Sequence, residues 1–484
     1  MSLRSRALLI PAILLGLGAL FLLLVRNPAD LANTTYLGGI VALEIAFAGL
    51  ARFEDLFFPL LMSAFLLAGM DLPFYSVAVS LRWLLLAVGA LGGFLIWLKS
   101  PQQRHFGSIH LVAGFCVVAT LVSATVSETP RTAVLKALSL FLLFLYAVSG
   151  ARLMIAGREH VFVNRLVLAC EALAYFSAAC YFVLRFDLFG NPNALGAIMG
   201  VVLIPIMLWA ALVAESERLR RRRFLALALC GALLYYSASR ASILAAVVTV
   251  VVFTLAIRHQ RLLFQCALVS VFLVTLFLVV NPSRWDSFVS TVTERVYKQT
   301  EANPGVFGSR VTPWAQTISV VKQHPWFGSG FGTSDLGELR PDVSGSELYT
   351  RVGTNREHGN SYLAMAEYMG LLGAAPFVIL LLMVLRVTVR TLAWVRKTAG
   401  PYHFAVPFAL VATAGLVHAS LEDWLFAVGS YLCVFFWVAM FLLVDLAPDP
   451  ELARAASVVV AAPDPSTVRQ FGLGAGSILT RIHR

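Results

Sequence analysis

Charged side chains are scarce in this 484-residue chain: they make up 13% of it, whereas 59% of the residues are hydrophobic. A soluble protein of this length cannot bury that much apolar side chain in its interior. Repeated apolar runs of about 17–25 residues, each ended by an arginine, a lysine or a turn, are typical of helices that cross a bilayer. The composition therefore predicts an all-α polytopic membrane protein.

The sequence also lacks the patterns of a metal or disulfide protein. Its six cysteines all lie inside apolar runs, and none stands in a CxxC pair or beside a histidine. The nine histidines are scattered, with no HExxH motif among them. These absences argue against a redox protein or a metalloenzyme, and we expect neither a metal ion nor another cofactor.

A basic domain is missing as well, although the net charge is +11. The positive residues form short clusters between apolar runs, and the densest is "ERLRRRR" at residues 217–223. Such clusters are typical of cytoplasmic loops that face anionic lipid, which argues against a nucleic-acid partner.

The apolar runs predict about 12–14 transmembrane helices. Residues 1–280 hold the N-terminal helices, residues 281–360 form one long hydrophilic loop with short helices, and residues 361–445 hold the C-terminal helices. Residues 446–484 have the composition of a disordered tail. The positive clusters all fall on one side of the predicted bilayer, which places both termini in the cytoplasm and the long loop outside. Arg82 and Lys136 depart from this bias, and we expect them to snorkel from helix ends.

Arg240 is the one charge in the otherwise uncharged run of residues 224–257. An ionised arginine at the centre of a bilayer costs several kcal/mol or more. Arg223 and Arg258, which flank the run, both fall on the cytoplasmic side, so the chain must cross the membrane and return between them. The spacing predicts a hairpin with its turn near Ser237 to Arg240, which puts Arg240 at the outer mouth of the membrane.

The long outer loop is rich in aromatic residues, which is unlike a disordered segment. Apolar residues recur at helical spacing after Arg310 and predict a short amphipathic helix on the membrane surface, with Arg310 just before it. The glycine-rich stretch "GSGFGT" at residues 328–333 favours tight turns over a phosphate-cradling loop. The residues of the predicted amphipathic face are Val311, Trp314, Ile318 and Val321.

Arg240 and Arg310 come from separate segments and are both predicted at the outer face. A guanidinium matches phosphate oxygens, and the start of a helix favours anions, so the two arginines form a candidate clamp for a lipid-linked diphosphate. Two simpler interpretations stay open. In the first, Arg240 anchors the chain to lipid headgroups or to a carboxylate. In the second, Arg310 is a solvated charge in the loop.

Other polar residues of the outer face are candidates for chemistry or for capping. His358 is a candidate base for an acceptor hydroxyl, or a polar residue near a helix start. Asn360 and Asn193 are expected to cap the helices that follow them, with substrate contact as the alternative. Glu422 and Asp423, in "HASLEDW", are expected to supply counter-charges to the arginines.

Four segments in this order resemble the O-antigen ligase and polymerase superfamily of bacterial inner membranes. They are the hairpin "SASRASILA", the loop start "GSRVTPWAQTI", the stretch "HPWFGSGFG", and "HGNSYLAMAEYMGLLGAAPFVILLL". The segment "NPNALGAIMG" adds support, and the resemblance concentrates in residues 190–390.

The resemblance implies a metal-independent, inverting glycosyltransferase that takes a glycan from undecaprenyl diphosphate at the periplasmic face. In a ligase the acceptor is a sugar of the lipid A core; in a polymerase it is another lipid-linked repeat unit. By the resemblance, Arg240 and Arg310 hold the diphosphate and His358 orients or deprotonates the acceptor hydroxyl. The implied substrate-binding residues are Arg240, Arg310, Ser239, Asn360, Asn193 and Trp314.

One position departs from the family pattern, because Gly359 separates His358 from Asn360 where the family has His and Asn adjacent. The sequence favours a ligase over a polymerase by the late position of the outer loop. A protein-glycosylating transferase is a third variant. A transporter of small anions or of the lipid-linked glycan is the alternative from another class, with Glu44, Glu171 and Glu367 as its intramembrane charges.

Overall fold

The computed structural model describes residues 54–72, 75–99, 106–155, 157–261, 308–333, 357–398 and 400–448, with isolated helical residues elsewhere. Within these ranges the secondary structure consists of helices, and no strand is present. Predicted spans before residue 40 and over residues 262–280, most of the long loop and the C-terminal tail lie outside the described residues. The prediction of an all-α polytopic membrane protein is confirmed.

The chain forms fourteen described helices in the following order. The first seven are α1 (Glu54–Leu67), α2 (Tyr75–Lys99), α3 (Ser108–Thr125), α4 (Pro130–Val148), α5 (Gly150–Ile155), α6 (Glu159–Ala178, continued by a π-helical turn, Ala179–Leu184) and α7 (Pro192–Ala197). After a second π-helical turn (Ile198–Leu203) come α8 (Ile204–Leu212), α9 (Glu217–Ser237), α10 (Arg240–Ala256), α11 (Gly308–Gln323), α12 (Ser361–Thr398), α13 (Val406–Ala419) and α14 (Tyr431–Leu446).

Six of the described helical segments are long and apolar enough to cross a membrane. They are Val77–Leu98, Ser108–Thr125, Pro130–Leu153, Glu159–Leu184, Pro192–Leu212 and Ser361–Thr398. Helices α10, α13 and α14 are apolar but shorter. The exact total of 12–14 stays a prediction, because several of the predicted spans lie outside the described residues.

The centre of the bundle is formed by the segment Pro192–Leu212 together with α13 and α14. The most apolar window of Pro192–Leu212 is 89% buried, whereas that of α12 is 39% buried. Every residue of α14 from Tyr431 to Leu443 is buried, with Trp437 and Phe436 fully so. These helices therefore pack against protein on all sides, and α12 exposes a broad apolar face of the kind that meets lipid.

Contacts between the ends of the helices place their connections at two ends of the bundle. One end holds the junctions α3–α4, α9–α10 and α13–α14, and helix α11 joins them there. We call it the site end. The opposite end holds the basic residues that the sequence predicts in the cytoplasm: Arg152, Arg158, Arg218 to Arg223, Arg258, Arg386, Arg390, Arg396 and Lys397.

Arg82 and Lys136 run against this charge bias, and the structure gives each a partner. Arg82 Nη1 donates to the carbonyl of Gly429 at 2.7 Å, and Lys136 Nζ donates to the carbonyl of Gly332 at 2.5 Å. Both acceptors lie in loops of the site end. The two side chains thus tie loops to helices, a role that differs from the predicted snorkelling to a membrane surface.

Helix α12 is broken at Gly370, which has φ +63°. The break leaves backbone groups of α12 without helical partners, and the segment 325–330, which consists of turns and bends, forms hydrogen bonds with them. Leu371 N–H donates to Pro325 O at 2.8 Å, while Ser329 N–H donates to Glu367 O at 2.9 Å. Further bonds join Leu372 N–H to Trp326 O (3.2 Å) and Gly330 N–H to Tyr368 O (3.1 Å).

Candidate active site

The hairpin turn lies where the spacing predicts it, at Ala238 and Ser239. Ala238 has φ +50° and ends α9, and Arg240 is the first residue of α10. Arg240 is therefore half-buried at the site end and does not lie at the centre of a span. This position removes most of the energetic cost of burying the charge.

The serines around Arg240 form a hydrogen-bonded chain that fixes the turn. Ser239 Oγ lies 2.8 Å from Ser242 Oγ, and Ser242 Oγ lies 3.0 Å from His418 Nε2 of α13. His418 Nδ1 in turn accepts a bond from Trp424 Nε1 at 2.7 Å. Both serines and His418 are buried, so Ser239 has a structural role here. Its predicted contact with substrate stays a prediction.

Helix α7 packs directly on the hairpin turn. A Cβ on Gly196 would overlap the side chain of Ser239, so only glycine permits this approach. The helix is capped by Asn191, whose Oδ1 accepts from Asn193 N–H at 2.8 Å. The expectation that Asn193 is the cap is wrong by two positions, because Pro192 is the first helical residue and the cap must precede it. Asn193 is half-buried beside the turn, and its contact with substrate stays a prediction.

Arg310 is the third residue of α11, in its first turn, and not the residue just before the helix as the sequence predicts. Its Nη1 lies 2.6 Å from Glu357 Oε1, and its Nη2 forms an ion pair with Glu422 Oε1. The Arg310 side chain is 14% exposed, so it is not a solvated loop charge. Both arginines belong to segments that reach the α13–α14 junction: Ser242, two residues after Arg240, lies 3.0 Å from His418, and Arg310 pairs with Glu422. The structure thus brings the two arginines to one place.

The predicted helix is present as α11, but the residues that it buries differ from those that the spacing predicts. Thr317 and Val320 are buried against α12, and Trp314 is half-buried, with Nε1 donating to Gly359 O at 3.2 Å. Val311 and Ile318, which the spacing also assigns to the apolar face, are 46% and 43% exposed. Their contact with the membrane surface stays a prediction.

Glu422 is the partly buried partner of Arg310. Burial raises the pKa of its carboxyl group to about 7, against the lowering effect of Arg310 and with smaller raising effects of Glu357 and Asp423. Its backbone is fixed as well, because the carbonyl of Glu422 accepts from both the N–H (3.1 Å) and the Oγ (2.6 Å) of Ser361. The expectation that Glu422 supplies counter-charge to an arginine is confirmed for Arg310.

His358 lies in a buried cluster between two carboxylates. Its backbone N–H donates to Asp423 Oδ2 at 2.8 Å, its Nδ1 lies 3.2 Å from the same oxygen, and its Nε2 lies 3.3 Å from Glu367 Oε1. The Tyr368 ring packs edge-on against it at 5.0 Å. Asp423 therefore pairs with the histidine and not with an arginine.

These neighbours govern the protonation of His358. Burial lowers its pKa, but the hydrogen bonds and charges of Asp423 and Glu367 outweigh that effect, so the pKa is raised. Burial likewise raises the pKa of Asp423, and contact with His358 more than reverses this, so that pKa is lowered. The geometry favours an imidazolium ring beside ionised Asp423. The predicted role of His358 as a base stays a prediction.

Gly359, which departs from the family pattern, has φ +62°. A Cβ at this position would lie 2.8 Å from both Cδ and Nη1 of Arg310. Asn360 follows and caps α12, with its Oδ1 accepting from Tyr362 N–H (2.8 Å) and Leu363 N–H (3.1 Å). Its interpretation as a cap is thus confirmed, and its contact with substrate stays a prediction. The glycine turns the backbone so that His358 points inward while its own backbone lies against Arg310.

The glycine-rich stretch 328–333 serves to dock the loop. Gly328, Gly330 and Gly332 all have positive φ, and the N–H groups of Ser329 and Gly330 are bonded to α12. Ser127 Oγ and Thr333 Oγ1 lie 2.8 Å apart and join the same loop to the α3–α4 junction. Tight turns, as predicted, account for this segment.

Within the described ranges, no group of three or more His, Cys, Asp or Glu side chains is placed to hold a metal ion. The charged groups of the site are instead arranged as arginine–carboxylate and histidine–carboxylate pairs. The five described cysteines are buried and free.

Comparison with known proteins gives one family. Residues 224–378 match the family described as O-antigen ligase. The matched region covers about a third of the chain and includes Arg240, Arg310, His358 and Glu367. No curated protein matches the chain. The family indicates a glycosyltransferase of the O-antigen ligase or polymerase type within a multi-pass bacterial membrane protein.

Proposed function

Because the chain carries an O-antigen ligase domain over residues 224–378, we propose that it transfers a glycan from undecaprenyl diphosphate to a sugar hydroxyl of the lipid A core. The observation that carries the proposal is the meeting of Arg240 and Arg310 at one end of the bundle, from helices α10 and α11. Two guanidinium groups that the fold holds near each other can bind one anion together once it displaces a carboxylate from Arg310. The phosphate oxygens of a diphosphate match the planar donor geometry of both guanidinium groups.

In the proposed reaction the acceptor oxygen attacks the anomeric carbon from the face opposite the diphosphate. The bond from that carbon to the diphosphate oxygen breaks, the configuration inverts, and undecaprenyl diphosphate leaves with the electron pair. Arg240 and Arg310 stabilise the negative charge that develops on the leaving oxygen. Removing one such donor from an enzyme typically costs about 2.7–4 kcal/mol of transition-state stabilisation.

The proton of the acceptor hydroxyl is proposed to pass to His358. This requires the neutral ring, because an imidazolium has no free lone pair. Asp423, on Nδ1, would then hold the ring in position and stabilise the positive charge that it gains. The His358 ring is fully buried, so the transfer also requires the acceptor hydroxyl to enter the cluster between α12 and the α13–α14 junction.

We further propose that the site end faces the periplasm of the inner membrane and that both termini face the cytoplasm. Support comes from the arginines and lysines gathered at the opposite end, as the positive-inside rule requires of a cytoplasmic face. The substrates and membrane lipids are the expected partners, and nucleic acid is not.

The transporter alternative depends on charges deep in the membrane. Glu171 is buried but its Oε1 lies 2.6 Å from Arg222 Nε, and Glu367 lies beside His358 at the site end. Glu44 is outside the described residues. Both described carboxylates therefore belong to local pairs, which favours the enzyme.

The test is deletion of the gene followed by electrophoresis of surface polysaccharide. Loss of a ligase leaves long lipid-linked chains and bare lipid A core. Loss of a polymerase, which would use the same donor groups, leaves single repeat units on the core. An unchanged polysaccharide pattern in the deletion strain would refute both.

A further inference from the structure

Both terminal nitrogens of the Arg310 guanidinium are already paired with carboxylates. Nη1 pairs with Glu357 and Nη2 with Glu422. A diphosphate that binds Arg310 must therefore compete with at least one of these glutamates. The two are built so differently that the structure indicates which one yields.

Glu357 is held loosely. Its side chain is 62% exposed, and its one ion pair within the described ranges is the 2.6 Å pair with Arg310 Nη1. Exposed ion pairs of this kind contribute little to stability because water screens both charges and competes for them. An anion with more charge than a carboxylate displaces such a partner at small cost.

Glu422 is held firmly. Its side chain is 18% exposed, and its backbone carbonyl accepts two bonds from Ser361 at the start of α12. Ser361 Oγ also accepts from Leu425 N–H at 3.1 Å, so the whole α13–α14 junction is fixed to α12 here. Removing a partly buried carboxylate from its arginine would leave both groups desolvated, which costs far more than opening an exposed pair.

We propose that the two glutamates have separate roles on Arg310. Glu357 occupies Nη1 until the donor arrives and gives it up to the diphosphate, whereas Glu422 stays in place and sets the direction of the guanidinium. Glu357 is thus a competitor for the donor site and Glu422 a positioning residue. This inference rests on the proposed function, in which Arg310 binds the diphosphate of the donor.

The proposal implies a pH dependence of positioning. The charged groups that face Glu422 are Arg310 from α11, Glu357 from the segment before α12, and Asp423 with its partner His358. Glu422 must be ionised to pair with Arg310. Since its pKa is raised to about 7, the pair weakens as the pH falls through that value.

The experiment measures binding of undecaprenyl diphosphate to the full-length protein in detergent micelles by thermophoresis. Glu357→Gln removes the competitor and should tighten binding about threefold, the fold-change that corresponds to an exposed ion pair. Glu422→Gln should weaken binding at least about tenfold and lose the decline of affinity between pH 8 and pH 6. Glu422→Asp, which keeps the charge on a shorter side chain, should also weaken binding and serves as the second variant if the glutamine variant does not fold.

Glu128→Gln is the matched control, because Glu128 is exposed at the same end, between α3 and α4, and the substitution changes the net charge equally. Equal tightening by Glu357→Gln and Glu128→Gln would reduce the effect to net charge and overturn the proposal. So would tightening by Glu422→Gln. Failure of the wild-type protein to bind the diphosphate would instead refute the proposed function itself.

Discussion

Gly359 and Arg310 are in direct contact: the Cα of the glycine faces the arginine side chain so closely that a methyl group would come within 2.8 Å of Cδ and Nη1. The same glycine has φ +62°, a conformation that L-residues with a Cβ rarely adopt. The position between the histidine and the asparagine therefore sets both the direction of His358 and the space available to Arg310.

Gly359→Ala should reduce glycan transfer at least about tenfold while leaving the protein in the membrane. The left-handed backbone costs alanine roughly 1–2 kcal/mol, and the new methyl group displaces the guanidinium from the site. Transfer is measured with purified protein in micelles, using lipid-linked glycan and lipid A core. Gly231→Ala is the control, since a Cβ at Gly231 meets nothing within 4 Å. Similar activity of the two variants would contradict this account.

Arg240→Ala and Arg310→Ala should each lower transfer by about 100-fold or more, because each removes a cation from the leaving diphosphate. The same transfer assay applies, with membrane content checked by immunoblot. Arg131→Ala provides the comparison, since Arg131 is an exposed arginine at the same end of the bundle. Wild-type-like transfer by either site variant would remove the clamp from the mechanism.

The rate of glycan transfer should rise with pH, with an apparent pKa above the ordinary histidine value of 6.5. The reason is that the pKa of His358 is raised and that only its neutral form accepts a proton. Asp423→Asn removes one of the two carboxylates that raise this pKa, so the apparent pKa of the profile should fall by about one unit. The profile of kcat/KM against pH measures this. If Asp423→Asn leaves this apparent pKa unchanged and Glu422→Gln abolishes the pH dependence, the titrating group is Glu422.

Gly370→Ala should release the docked segment 325–330 from α12. A Cβ at Gly370 would overlap the backbone of Trp326 and Phe327, and φ there is +63°. We expect a lower melting temperature, with a free-energy loss of roughly 2–4 kcal/mol from the strained backbone and the weakened hydrogen bonds. Thermal unfolding in detergent, with Gly231→Ala as the reference, checks it. Unchanged stability would show that the break does not depend on glycine.

Much of the architecture was predictable because hydropathy and charge bias act over whole segments. The turn at Ser239 and Arg240 followed from counting crossings between Arg223 and Arg258, and helix α11 followed from its apolar spacing. The break at Gly370 did not, because "EYMGLLG" is apolar enough to continue a helix. It is specified by backbone hydrogen bonds to residues about 40 positions earlier, which a local pattern does not encode.

The sequence predicts the arginines and the histidine of the candidate site, but it predicts only some of the carboxylates that pair with them. Arg240, Arg310 and His358 stand out because each lies in one of the four segments that resemble the family. Glu357 is one of several charges in a hydrophilic loop, so the sequence does not predict its pairing with Arg310. Glu367 lies in an apolar run and its distance from His358 depends on how the chain enters α12, so the sequence predicts only an intramembrane charge. Glu422 and Asp423 are the predictable carboxylates, because "HASLEDW" places a pair of acids in a short junction between apolar helices.

Glu422 and Asp423 lie beyond residue 378, where the family match ends. The segment with the recognisable motifs is therefore not a self-sufficient module: Arg310 and His358 each receive one of their two counter-ions from a loop that the match does not include. Grafting residues 224–378 alone into a relative would transplant Glu357 and Glu367 with these cations but leave Glu422 and Asp423 behind. In evolutionary terms, the loop between the last two helices and the motif region are expected to change together.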